Sequence, residues 1–63
     1  MTKEDLIKEG FYEGCTLFAF FTNKKDESPI IFEGAYLNDD LINGYYNWGT
    51  YSIEEIKKVI ISE

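Results

Sequence analysis

Residues 15–22 read Cys-Thr-Leu-Phe-Ala-Phe-Phe-Thr, and no other stretch constrains the chain as much. The aromatic and β-prone residues predict a strand, closed by the turn cluster Asn-Lys-Lys-Asp-Glu-Ser-Pro that follows. Leu17, Ala19 and Phe21 would face one side of a sheet and Phe18 and Phe20 the other. A strand apolar on both faces is either central in its sheet or has its outer face covered, here by an N-terminal helix.

The core that receives this strand must be thin. The chain has 63 residues, too few for more than one domain, which we place over residues 1–63. A domain of this size buries only about 60% of the surface its unfolded form exposes, and natural domains near it often add disulfides, metals or a partner subunit. Cys15 is the sole thiol and there is no His, so neither an intramolecular disulfide nor a zinc or iron–sulfur ligand set is available. Aromatic packing or self-association has to compensate.

Local signals place the other elements. Residues 2–9 predict a short helix: Thr2 can cap it, Asp5 stands at the capping-box distance, and Gly10 ends it. Leu6 and Ile7 give that helix a narrow apolar stripe, so it must dock on something else, with Phe11 as anchor. Pro29 opens a second strand over residues 30–37, forming a hairpin with the first, and Gly34 inside it marks a bulge or bend. Asn38-Asp39-Asp40 is a turn signal, and Asn43-Gly44 suits a type I′ hairpin turn. Residues 38–44 then read as one loop before a third strand over residues 45–51, the other reading being a short strand through Leu41 and Ile42.

The C-terminus admits two readings. Ser52-Ile53-Glu54-Glu55 is a capping box, and Ile53, Ile56 and Ile60 follow helical spacing, which predicts a closing helix. The β-branched triplet Val59-Ile60-Ile61 predicts instead a last strand after one helical turn. The fold class is α+β: an N-terminal helix, a strongly bent antiparallel sheet of three to five strands, and a C-terminal short helix or helical turn plus strand. In the strand version the layout resembles a small SH3-like or Sm-like barrel.

Charge excludes several partners. Twelve acidic and six basic side chains, all the latter Lys, give a net charge of −6. Direct nucleic-acid binding requires a basic patch that such a chain lacks, and anionic membrane surfaces would repel it. No basic-plus-apolar leader opens the sequence, and its apolar runs fall far short of the ~20 residues of a membrane span. We expect a cytoplasmic protein with Cys15 reduced, in the host cytoplasm if phage-encoded. The frequent Lys, Ile, Asn, Tyr and Phe are those an AT-rich genome favours.

Catalytic equipment is sparse, and we expect neither an enzyme nor a cofactor or metal. Cys15 has no nearby cation in sequence to activate it and reads as a buried structural thiol. The carboxylate pairs Asp39-Asp40 and Glu54-Glu55 read as turn and helix-start residues. Asn38, Asp39 and Asp40 lack the alternating spacing of a calcium loop. A hydrolase would also need a cleft of ~300 Å³ or more, for which we expect so short a chain to lack room.

The distribution of charge is more informative. Between Asp26 and Ile56 there are seven acids and no base, and the same interval holds Tyr36, Tyr45, Tyr46, Trp48 and Tyr51. Aromatics are enriched in interface cores, and uncompensated acids steer toward basic partners. If Tyr45 and Tyr46 are neighbours in a strand they face opposite sides, and one must show itself to solvent or a partner. The candidate contact residues are Glu33, Asp39, Asp40, Tyr45, Tyr46 and Trp48. The chain then reads as a small acidic protein-binding inhibitor or adaptor, acting stoichiometrically on a basic or functional surface. In type it is similar to phage-encoded proteins that block host nucleases or defence complexes, anti-CRISPR proteins included. The alternatives are a self-associating structural or regulatory module, making a homo-oligomer, and an immunity protein or antitoxin against a basic toxin. Solvated acids and core aromatics without any binding role would produce the same composition.

Overall fold

A computed structural model describes residues 1–47 and 49–62. Helix α1 (Lys3–Lys8) is built by the capping box at its start: Thr2 Oγ1 accepts from the Asp5 N–H at 3.1 Å, and Asp5 Oδ2 accepts from the Thr2 N–H at 3.0 Å. Gly10, at φ 102°, turns the chain out of it. Leu6 is the helix residue that reaches the core, while Ile7 on the neighbouring face stays exposed. Phe11 packs partly buried against the same core, and the Met1 ammonium donates to the carbonyls of Ile53 and Ile56.

Five strands follow in one antiparallel sheet: β1 (Cys15–Phe21), β2 (Ile30–Asn38), β3 (Leu41–Gly44), β4 (Tyr51–Ser52) and β5 (Ile56–Ser62), in the order β4-β3-β2-β1-β5. Strand β1 is flanked by β2 and β5. Cys15, Leu17, Ala19 and Phe21 point into the core, and Thr16, Phe18 and Phe20 lie half-buried on the outer face. The helix does not cover that outer face. It lies on the inner side, where Leu6 joins the buried cluster, because a six-residue helix with one buried side chain can plug a core but cannot roof three strands.

Gly34 makes the expected bulge. Cys15 pairs with Ala35 but Leu17 with Phe32, so three steps on β2 oppose two on β1, and Gly34 in the extra turn has φ 64°. Beyond it, β2 leaves β1 and pairs with β3 from Ala35↔Gly44 to Asn38↔Leu41.

Two expectations for the middle of the chain are overturned. Residues 38–44 are not a loop, since β3 occupies Leu41–Gly44. The hairpin turn is Asp39-Asp40, with Asp39 at φ 56°, a conformation that Asp tolerates better than most residues, and Asn43-Gly44 lies within β3 instead. The Asp pair wins the turn because that register sends Ile42 inward opposite Leu37. Nor is there a strand over residues 45–51: Tyr45 and Tyr46 sit in a turn, and β4 begins only at Tyr51.

At the C-terminus the strand reading is correct. A 3₁₀ turn, Ile53–Glu55, leads into β5. The spacing of Ile53 and Ile56 is that turn, and the three-residue step from Ile56 to Val59 is a second bulge, since Phe21 pairs with Ile56 while Phe20 pairs with Lys58. All three side chains are thereby buried. Strands β4 and β5, at opposite edges of the sheet, are joined by three residues only, so the sheet must curl. Tyr51 packs inside the curl, its ring 5.3 Å from that of Phe21 and 5.7 Å edge-on from that of Phe32.

Candidate functional site

Three of the six candidate contact residues meet where β3 ends. Gly44, Tyr45, Tyr46 and Asn47 form a turn in which the Asn47 N–H donates to the Gly44 carbonyl at 3.0 Å. The two tyrosines occupy its central positions. The Tyr45 N–H donates to the Gly34 carbonyl at 3.2 Å, which places the turn beside the β2 bulge and exposed Glu33. Tyr45 and Tyr46 are 76% and 75% exposed, and their rings touch edge-to-face with centroids 4.9 Å apart. The expectation that one tyrosine would show itself rested on a strand; in the turn both do.

Asn47 holds this arrangement. Its Nδ2 donates to the Ile31 carbonyl and its Oδ1 accepts from the Glu33 N–H at 3.1 Å. One carboxamide thus supplies the donor and the acceptor that a neighbouring strand would have offered β2 there. Gly44 leaves the space for it, since a Cβ there would overlap Asn47 Oδ1. The Thr50 hydroxyl donates to Asn43 Oδ1 across the same loop at 2.6 Å. Asn47 did not stand out in the sequence, and Gly44 did so only as half of a turn dipeptide, not as the space that Asn47 fills. A glycine followed three residues later by Asn, next to a bulge glycine, is the only signal there was.

Asp39 and Asp40 lie elsewhere, exposed at the β2–β3 hairpin tip, a strand length of roughly 13 Å from the tyrosines. The Asp40 carbonyl accepts from the Ile53 N–H at 2.9 Å, so backbone rather than carboxylate ties the tip to the 3₁₀ turn. Trp48 lies outside the described residues.

Of the eleven carboxylates among the described residues, Asp26 and Glu27 have a Lys within salt-bridge distance and the other nine, Glu4, Glu9 and Glu13 included, do not. Lys24 pairs with Asp26 at 2.7 Å and Lys57 with Glu27 at 3.7 Å, both at the β1–β2 loop. The Lys24 ammonium, helped by the hydroxyl and N–H of Ser28, holds the Asp26 carboxyl down to about 2. The N–H and hydroxyl of Thr2 lower Asp5 likewise. Among the described residues Glu33, Asp39, Asp40, Glu54 and Glu55 have no Lys within salt-bridge distance. Acidic charge is therefore uncompensated on the β2–β3 and β4 side of the sheet.

Contrary to the size argument, the chain does hold a cleft. An open groove of about 410 Å³ runs between the β1–β2 loop and β4, with Phe21, Ile30 and Tyr51 at its floor and Lys24 and Glu55 on its walls. Both wall charges are engaged within the protein, Lys24 with Asp26 and Ser28, and Glu55 with the Thr22 hydroxyl at 3.3 Å. Cys15 is buried at the head of β1, far along the strand from the groove. Among the described residues no three His, Cys, Asp or Glu side chains group as metal ligands, and no helix is long and apolar enough to cross a membrane. The chain matches no protein-family model, no curated protein and no solved structure.

Proposed function

We propose that this chain is a small protein-binding inhibitor or adaptor, acting by occupying a basic surface of a partner protein, of the kind phages direct against host nucleases and defence complexes. One observation carries the reading: two tyrosine rings, each about three-quarters exposed, sit together on a turn held by three hydrogen bonds of Asn47, two donated and one accepted, and one donated by Tyr45. Exposed aromatic pairs on a fixed backbone are what interface anchors require. They offer a large amphipathic area with few torsions to freeze, so little entropy is lost on binding. Glu33 beside them and Asp39-Asp40 at the hairpin tip supply the field that speeds approach to a cationic surface. The sheet order and the 3₁₀ turn before β5 support reading the fold as a small SH3-like or Sm-like barrel, a rigid platform for such a turn.

Capture from host lysate by the tagged chain, at ~0.05 M and then ~0.5 M salt with mass spectrometry of what is retained, tests the reading. The expected result is one basic protein, released by salt, whose association slows when Asp39 and Asp40 are both replaced by Asn. Asn keeps the turn, because it too tolerates positive φ at position 39. Retention that ignores both salt and the Asn replacements would contradict the steering role of those carboxylates. A target that is a toxin rather than a nuclease or defence protein would make the chain an antitoxin using the same chemistry.

A further inference from the structure

The outer face of the sheet carries a second surface. On three adjacent strands Ile60, Phe18 and Ile31 stand side by side, because Phe18 pairs with Ile60 on β5 and with Ile31 on β2. Ile60 is 49% and Ile31 45% exposed, with Phe18 half-buried between them. One row along β1, Phe20 lies beside Lys58, whose ammonium is 5.4 Å from the ring centroid. In the other direction the row ends at Glu33, exposed one residue past inward-facing Phe32. The apolar row thus has a cation at one corner and an uncompensated carboxylate at the diagonally opposite one.

That placement is self-complementary. A two-fold axis lying in the contact plane, through Phe18 and at right angles to the Lys58–Glu33 diagonal, sets Phe18 on its own copy. It also brings each Lys58 against the Glu33 of the other chain. The strands then cross at a near-orthogonal angle, one of the two ways in which sheets pack face to face. The geometry points to a second copy of this chain as the occupant of the Ile31–Phe18–Ile60 face, in an isologous dimer. Other occupants fit less well. The acidic chain repels an anionic lipid surface, and α1 is already docked on the inner side. The net charge of −6 on each copy opposes association at long range, but at ~0.15 M salt charges beyond ~8 Å are screened while the two corner pairs are in contact. A face of three strands is smaller than the ~800 Å² per partner of a tight interface, so the dimer is weak, with Kd on the order of 10–100 μM.

Sedimentation equilibrium of the purified chain from ~5 to ~500 μM, spanning that Kd, tests this without any other protein. The mean mass should climb from 7.4 kDa toward twice that value. K58E places a carboxylate against Glu33 of the other copy and should weaken association at least tenfold, roughly 1.4 kcal/mol. The E33K/K58E double exchange should restore it. I60K, at an exposed position, should also yield monomer, with thermal melting reporting that each variant stays folded. A 7.4 kDa mass throughout, or dimers indifferent to K58E and I60K, would overturn the inference. So would a double exchange that fails to restore association. Because no partner protein is present, such a failure leaves the tyrosine contact surface standing.

Discussion

The side chain of Asn47 fills the space that a side chain on Gly44 would need, and from there it bonds both the Ile31 carbonyl and the Glu33 N–H. The turn that displays the tyrosines and the edge of β2 are therefore one unit. N47A should cost about 1 kcal/mol for the lost pair of bonds, or a fall of roughly 4–8 °C in melting temperature. N47D should be no milder despite its shape, because it loses the donor and turns a carboxylate on the Ile31 carbonyl. G44A should cost roughly 1–3 kcal/mol by overpacking. The double variant G44A/N47A should fall short of the sum, since Ala at 47 removes the atom that clashes. Additive losses in denaturant unfolding would show that the two positions do not share this space.

Gly34 is constrained twice, by φ 64° and by Tyr45, whose Cβ would lie 3.0 Å from any Cβ placed on it. G34A should cost roughly 1–2 kcal/mol of backbone strain. It should also shift the NMR resonances of Tyr45, which touches the site, more than those of Tyr51, whose ring packs against Phe21 and Phe32.

Asp26 dictates the behaviour in acid at the β1–β2 loop. Its folded-state value of about 2 lies below the ordinary 3.8, so its stabilising effect is complete above 3.8 and is lost as pH falls from there through about 2. Asp5 shifts in the same direction. Carboxyl NMR titration should find Asp26 half-protonated near pH 2, and the melting temperatures of wild type and D26N should converge as pH drops across that window. A midpoint near 3.8 would remove the role of Lys24 and Ser28.

Cys15 is 1% exposed. Its modification by a thiol reagent should wait on opening of the fold, with a rate that rises with denaturant in step with unfolding. Rapid labelling in native buffer would contradict its place in the core.

Elements fixed by local chemistry were legible in the sequence. The Thr2–Asp5 box, the two-faced β1 and the Gly34 bulge each carry their signal in adjacent residues. What was hidden depends on distant partners. Both Asn38-Asp39-Asp40 and Asn43-Gly44 carry turn signals, and which of them closes the hairpin is decided by the register that buries Ile42 and by the docking of Asn47 against Gly44. Of the helical set Ile53, Ile56 and Ile60, the first two are buried by a 3₁₀ turn, and a bulge then buries Val59 while Ile60 faces out, so no α-helix forms. The tyrosine pair was found for the wrong reason, since strand alternation predicted one exposed ring and a turn exposes both. Asp39 and Asp40 share the acidic side of the sheet with Glu33 but not the tyrosine turn, a separation set by the length of β3.

The central claim is that Tyr45 and Tyr46 serve binding rather than folding. Y45A/Y46A separates the two most directly, with its melting temperature measured beside calorimetric titration of the captured partner. Residues three-quarters exposed contribute little to the core, so melting should stay within about 0.5 kcal/mol of wild type while affinity falls by at least 2 kcal/mol, roughly thirtyfold. Unchanged affinity, or a loss of stability that accounts for the loss of binding, would contradict the claim.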